Sequence, residues 1–100
     1  MTAAELDELI EQATVDCYNE SEQVTGLFTM IEEHLDLPFQ TTVLGTPVTV
    51  AGIDVTADDC IVAICARDGH RQTIPILDLP VPDSAPNGWE LVEAYRRWAR

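Results

Sequence analysis

Four carboxylate or amide side chains, Asp16, Asn19, Glu20 and Glu22, fall within seven residues in the amino-terminal third of the chain. Ca²⁺ binds about six to eight oxygen ligands from carboxylates, amides, carbonyls and water, so this segment has the donor chemistry of a calcium site. Asp16 and Glu20 lie four residues apart, which places them on one helical face if a helix extends that far. Their mutual repulsion is unfavourable unless water, salt or a metal ion relieves it.

A second acidic cluster, Glu32, Glu33 and Asp36, follows where a predicted helix ends. Negative charge at a helix carboxyl terminus opposes the helix dipole, so this placement is locally destabilising, and a bound cation would reverse the sign of that effect. A third group lies on a predicted turn between strands and could reach either cluster: Asp54, Asp58 and Asp59. None of the three groups has the alternating acids, central glycine and terminal glutamate of an EF-hand loop.

The charge of the chain is distributed unevenly. Residues 1–66 contain thirteen Asp and Glu and no Lys or Arg, and the whole chain carries a net charge of −13. Such a surface repels nucleic acid and anionic lipid and attracts cations, so we expect neither a nucleic-acid nor a membrane partner. The chain also lacks Lys altogether, which is typical of a salt-adapted protein. From the residues alone, a solvated acidic face therefore remains the alternative to a metal site.

Two helices and a tight corner would position the first two clusters. Thr2 with Glu5 and Asn19 with Glu22 have the spacing of capping boxes. Apolar residues then recur at helical spacing in two stripes: Leu6, Leu9, Ile10, Ala13 and Cys17, then Val24, Leu27, Phe28, Ile31 and Leu35. These patterns predict a helical hairpin with its corner near residues 18–21, and Pro38 forbids continuation of the second helix.

The middle of the chain predicts strands. Segments rich in Val, Ile and Thr, at 41–44, 48–55, 60–67 and 72–76, alternate with turn signals at 45–47, 56–59 and 68–69. Asp68-Gly69 is a strong hairpin signal, and Gly52 predicts a bulge. We therefore expect a small bent antiparallel sheet of four to five strands, resembling an SH3-like partial barrel. Asn87 and Glu90 predict the start of a carboxyl-terminal amphipathic helix, which completes an α+β fold in a single domain, residues 1–100.

The remaining residues that could take part in catalysis form no catalytic motif, so we expect that the protein is not an enzyme. His34 and His70 are far apart in sequence, and no nucleophile, phosphate-binding or zinc motif is present. Three cysteines, an odd number within apolar patterns, are typical of reduced thiols in a cytoplasmic protein. No apolar run approaches the length of a membrane span, and no leader opens the chain.

Several motifs in combination resemble the CcbP family of small cyanobacterial calcium-binding proteins and their bacterial and archaeal relatives. They lie at residues 13–23, 26–28, 30–35, 37–39, 43–45, 74–80 and 93–98. The resemblance implies an acidic, non-EF-hand calcium binder of mixed helix and sheet. It carries over two sets of acids as metal-ligand candidates: Asp16, Glu20 and Glu22 from the first motif, and Glu32, Glu33 and Asp36 from the second.

The sequence supports two interpretations, which belong to different functional classes. The first is a monomeric cytoplasmic Ca²⁺ buffer or sensor that binds the ion through clustered carboxylates. The alternative is a small protein-interaction module whose acidity reflects salt adaptation and whose partner is unidentified. Trp89 and Trp98 lie nine residues apart and face different directions on a helix, so one of them would seal the sheet or anchor a partner.

Overall fold

The computed structural model describes residues 1–100 and combines three α-helices with four β-strands. The helices are α1 (Ala3–Ala13), α2 (Glu20–His34) and α3 (Trp89–Trp98), and the strands are β1 (Phe39–Val43), β2 (Thr46–Val55), β3 (Ile61–Arg67) and β4 (His70–Pro75). A short 3-10 helix, Ile76–Asp78, follows β4. This arrangement confirms the predicted α+β class, with a helical hairpin, an antiparallel sheet and a carboxyl-terminal helix. No helix is long and apolar enough to span a bilayer.

The chain forms two compact units. The helical unit consists of Met1–Leu35 with Asn87–Arg100, and the sheet unit consists of Asp36–Pro86. The helical unit buries Leu27, Ile31 and Val92 completely, whereas the sheet unit buries Val50 and Ile61 completely. The assignment of residues 1–100 to a single domain stays a prediction.

Both amino-terminal helices begin at the predicted caps. The Thr2 hydroxyl accepts a hydrogen bond from the Glu5 amide while the Glu5 carboxylate accepts from the Thr2 amide, which is a complete capping box. At α2 the Asn19 side chain accepts a hydrogen bond from the Glu22 amide at 2.9 Å. These caps are predictable because both partners lie within four residues of each other.

Gly26 brings α1 and α2 together inside the helical unit. A Cβ atom at this position would overlap the carbonyl of Ala13, the last residue of α1. The absent side chain therefore lets the end of α1 contact the backbone of α2, and Gly26 is fixed by this approach rather than by a need for flexibility.

The four strands form an antiparallel meander in the order β1-β2-β3-β4. The predicted bulge is confirmed, because the β2–β3 register shifts between Val50 and Gly52. Asp68 and Gly69 form the predicted two-residue turn, with φ of +50° and +80°. The first hairpin turn differs from the prediction: it consists of Leu44 and Gly45, while residues 46–47 belong to β2.

Helix α3 begins differently from the prediction. Its N-cap is Gly88, with φ of +89° and no side-chain cap, so the expected cap at Asn87 is wrong. The reason is a tertiary contact, since a Cβ atom at Gly88 would overlap the His34 carbonyl at the end of α2. Glycine alone combines this approach with a left-handed φ, and this requirement overrides the local capping preference of asparagine.

Both tryptophans are engaged within the helical unit. Trp89 is 6 % exposed, and its Nε1 donates to Glu93 Oε1 at 3.1 Å. Trp98 stacks on Tyr95 with 6.2 Å between ring centroids and donates to Gln23 Oε1 at 2.9 Å. Because Trp89 is buried, it does not present a surface anchor to a partner.

Candidate metal site

The corner between α1 and α2 is built by an early end to α1. The Thr14 hydroxyl donates to the Ile10 carbonyl at 2.7 Å, and the Cys17 amide donates to the Thr14 carbonyl at 3.0 Å. Asp16 then takes a left-handed conformation with φ of +60°, which short polar residues tolerate better than most. The prediction that α1 extends to Cys17 is therefore wrong, because its last helical residue is Ala13.

This ending changes the relation between Asp16 and Glu20. Asp16 lies in the turn that follows α1, and Glu20 is the first residue of α2. The two residues consequently do not share a helical face, because α1 ends before Asp16 and the condition for a shared face is not met. Both side chains are exposed, and the chain between them consists of residues 17–19 in irregular conformation.

Glu22 has a structural role at the same corner. Its Oε2 accepts a hydrogen bond from the Tyr18 amide at 2.8 Å, one residue before the N-cap. This contact points the carboxylate back over the corner, and negative charge in the first turn of α2 is favourable to the helix dipole. Sequence analysis detected the spacing of Glu22 but not Tyr18 as its partner.

The second cluster lies at the other end of α2. Glu32 and Glu33 are exposed in the last turn, where acidic charge opposes the helix dipole. His34 Nε2 lies 3.9 Å from Glu33 Oε2, and both side chains are more than half exposed, so this contact compensates little. Asp36 is exposed and begins the sheet unit.

The two clusters are separated by the length of α2. From Glu20 to Glu32 the helix rises about 18 Å, at about 1.5 Å per residue. Oxygen ligands of one Ca²⁺ lie about 2.3–2.6 Å from the ion and thus within about 5 Å of one another. A single ion therefore does not join both ends of α2. Within residues 1–100, no three His, Cys, Asp or Glu side chains are arranged as a metal-holding group.

The third acidic group lies in the β2–β3 connection of the sheet unit. Asp54 Oδ1 accepts a hydrogen bond from the Val55 amide at 2.8 Å, and Asp59 is left-handed with φ of +60°. The Thr56 amide donates to the Cys60 carbonyl at 2.9 Å and closes the turn. Asp54, Asp58 and Asp59 are all exposed.

Two acids of α1 have structural partners. Hydrogen bonds from Thr2 lower the pKa of Glu5, and hydrogen bonds from Arg97 lower the pKa of Asp7. The spacing of Thr2 and Glu5 predicted the first contact, whereas Arg97 lies near the carboxyl terminus of α3 and gives no local signal of its contact with Asp7. These two carboxylates are accounted for without a metal.

The six carboxylates of the first two clusters have the right chemistry for calcium. They are exposed hard-oxygen donors around the two ends of one helix, in a segment with no Lys or Arg to neutralise them. A helical hairpin, a four-stranded meander and a carboxyl-terminal helix, together with these acids, define a small acidic α+β protein with the donor set of a calcium binder.

Comparison with known proteins agrees with this class. The chain belongs to the calcium-binding family Calci_bind_CcbP, whose family model matches residues 7–99. The resemblance noted in the sequence is thereby confirmed. No curated protein sequence matches the chain.

Two solved structures share the fold. The crystal structure of Anabaena CcbP superposes with a TM-score of 0.83 at 17 % identity, covering 99 % of this chain and 92 % of that one. A calcium-binding protein in its calcium-binding form superposes with a TM-score of 0.73 at 18 % identity, covering 99 % of this chain and 95 % of that one. At these identities the likeness establishes the fold.

Proposed function

We propose that this chain is a non-EF-hand Ca²⁺ buffer or sensor of the cytoplasm. We propose two groups of carboxylates as ligands of the ion. The corner group is Asp16, Glu20 and Glu22, and the helix-end group is Glu32, Glu33 and Asp36. Membership of a calcium-binding family supports the choice of ion.

The observation that carries the ligand assignment is the position of the acids around α2. All six side chains are exposed, and residues 1–66 contain no Lys or Arg that would neutralise them. The helix-end group gives the stronger argument, since Glu32 and Glu33 lie in the last turn of α2, where negative charge interacts unfavourably with the helix dipole. A divalent cation would turn this unfavourable placement into a favourable one.

The cytoplasmic location rests on the cysteines. Cys17, Cys60 and Cys65 are free thiols, and Cys65 is buried. Unpaired cysteines are typical of reducing compartments, whereas secreted domains of this size commonly pair them.

Both groups favour calcium over magnesium because their carboxylates are exposed to solvent. Ca²⁺ accepts irregular sets of oxygen ligands and completes its shell with water, whereas Mg²⁺ demands near-octahedral geometry and loses its water reluctantly. Exposed carboxylates on a turn and on a helix end suit the more flexible ion.

A thermal and calorimetric titration tests the proposal. At matched ionic strength in high KCl, Ca²⁺ should raise the thermal midpoint well beyond the shift caused by Na⁺, because it binds the native state; saturation at about 100 times the dissociation constant is worth about 2.7 kcal/mol. Asp16→Asn and Asp36→Asn should each weaken the calorimetric binding. Glu8→Gln, an equal change of charge at an exposed position of α1, is the matched control.

The outcomes separate the two parts of the proposal. Equal shifts with Na⁺ and Ca²⁺ would exclude a specific calcium site. Specific binding that survives unchanged in both Asp variants would reject the ligand assignment while leaving calcium binding intact. A change of circular dichroism or of hydrodynamic radius on binding indicates a sensor, and its absence indicates a buffer.

A further inference from the structure

A groove of about 250 Å³ opens on the sheet beside the turn between β3 and β4. Residues that pair directly across antiparallel strands share a face, and two such pairs, Cys65 with Gln72 and Arg67 with His70, line this groove. We call it the tip groove. The other lining residues are Val43, Thr46, Val48, Ala66, Arg71 and Ile74.

The floor of the tip groove is apolar. Val43, Val48 and Ile74 are half-buried, and Cys65 is 4 % exposed. Burial raises the pKa of the Cys65 thiol, so this side chain stays neutral and adds to the apolar floor. A partly open apolar groove with a polar rim is the usual form of a small-molecule site.

The rim of the tip groove has the opposite charge to the rest of the chain. Its lining includes Arg67, Arg71 and His70 and no Asp or Glu, although the chain as a whole carries a net charge of −13. Asp68 lies outside the lining but pairs with Arg67, since its Oδ2 lies 3.5 Å from Arg67 Nε in an exposed pair. Such a pair is weak and is readily exchanged for a second carboxylate.

A hydrogen bond to the backbone of β2 fixes the side chain of Arg67. Its Nη1 donates to the Pro47 carbonyl at 2.7 Å, which fixes the guanidinium across β2 and β3. A guanidinium carries five N–H donors in a rigid fork, so this contact leaves donors available. Arg71 pairs with Ala66, so its side chain starts from the opposite face of the sheet, and Arg67 is the cation on the face of the groove.

We propose that the tip groove binds a small organic carboxylate, with its apolar chain on the floor and its carboxylate on Arg67. The size of the ligand follows from the volume: at about 30 Å³ per water-sized group, the groove holds about eight non-hydrogen atoms. This inference concerns the sheet unit alone and is independent of the proposed calcium groups.

Amide NMR titration of the whole chain with hexanoate tests the proposal. Hexanoate should shift the amides of Gly69, His70 and Gln72 saturably, and its neutral isostere hexanamide should bind at least about tenfold more weakly. Acetate, which has the charged head but no chain, should also bind at least about tenfold more weakly. Equal affinity for hexanoate and hexanamide would overturn the role of Arg67, and equal affinity for hexanoate and acetate would overturn the role of the floor.

Arginine variants complete the test. Arg67→Gln should abolish the preference for hexanoate over hexanamide, whereas Arg100→Gln makes the same change of net charge in the helical unit and should preserve it. Because Arg67→Gln also removes the contact with Pro47, Arg67→Lys serves as a second variant that keeps the positive charge and should retain a preference for hexanoate. An undiminished preference in Arg67→Gln, or no preference in Arg67→Lys, would overturn the proposal.

Discussion

The carboxylate of Asp7 in α1 accepts two hydrogen bonds from the guanidinium of Arg97 in α3, at 2.7 Å from Nε and 3.2 Å from Nη2. Helix α1 buries only Ala13 among its eleven residues, so its apolar attachment is thin. This two-point contact therefore adds to the attachment of α1 within the helical unit.

Asp7→Asn should lower the thermal midpoint at neutral pH, and the effect should shrink in acid. Arg97 holds the pKa of Asp7 below its ordinary value of 3.8, so the contact stabilises the fold above that pH. The stabilisation is lost as the pH falls through the lowered pKa, because the carboxylate is then protonated in both states. Melting curves of the native chain and Asp7→Asn at pH 7, and at the lowest pH where both still melt cooperatively, measure this difference.

Glu8→Gln is the control for Asp7→Asn, since it removes the same charge from the neighbouring position of α1. Its effect on the thermal midpoint should be smaller than that of Asp7→Asn at neutral pH. A deficit of Asp7→Asn that stays constant down to the lowest pH would contradict an ionic origin.

Gly26→Ala should destabilise the helical unit by about 1–3 kcal/mol, although alanine is the better helix former. The new methyl group would overlap the Ala13 carbonyl and force α1 away from α2. Urea denaturation followed by far-ultraviolet circular dichroism measures the loss. Gly52→Ala is a matched control, because its Cβ would meet its nearest neighbour, Ile64 Cδ1, at an ordinary 3.6 Å. Equal losses in the two variants would argue against the overlap.

The features that sequence analysis predicted correctly are those whose determinants are local. The Thr2–Glu5 capping box and the Asp68-Gly69 turn each depend on residues within four positions, so their types and spacing suffice. The cap at Gly88 depends instead on the His34 carbonyl, which lies far away in the chain. Nothing near Asn87 signals that contact, and for this reason the local capping preference misled the prediction.

In the candidate metal site, too, the features with local determinants were predicted correctly and the others were not. That acids gather at both ends of α2 follows from helix periodicity and from Pro38, and the structure places Glu20 and Glu32 accordingly. The end of α1 at Ala13 and the left-handed φ of +60° at Asp16 have no glycine or proline nearby to signal them in the sequence. A coordination set depends on distances between side chains, and these acids do not form a sequence motif, such as an EF-hand loop, that would fix those distances.

Leu44→Asn should stabilise the sheet unit by about 0.5–1 kcal/mol. Leu44 is 100 % exposed and has φ of +50° in the turn before Gly45, a conformation that costs leucine about 1 kcal/mol. Asn-Gly is the preferred sequence for a two-residue turn with positive φ at both positions. Leu44→Lys removes the same exposed apolar surface without this preference and should change the free energy of unfolding little. Equal stabilisation by both substitutions would attribute the gain to lost apolar exposure.

Thr41→Val should raise the free energy of unfolding by about 1 kcal/mol. Thr41 is 7 % exposed, and its Oγ1 is buried without a hydrogen-bond partner, so its desolvation is uncompensated. Valine has nearly the same shape and favours strands. Thr42→Val, at the exposed neighbouring position, should change stability by less than about 0.5 kcal/mol. Chemical denaturation compares the two, and a loss of stability in Thr41→Val would show that the hydroxyl has a partner in solution.

Glu20→Gln and Glu32→Gln should reduce calcium stabilisation independently. The two positions are about 18 Å apart along α2, beyond the range of about 8–10 Å over which exposed charges interact at ordinary salt. Each ion would therefore contact one end, and the loss of Ca²⁺-induced stabilisation in the double variant should equal the sum of the single losses within about 0.5 kcal/mol. Thermal denaturation with and without Ca²⁺, at matched ionic strength, gives all four values. A double variant no worse than the more impaired single variant would show that both substitutions act on one site, which contradicts the separation of the corner group from the helix-end group.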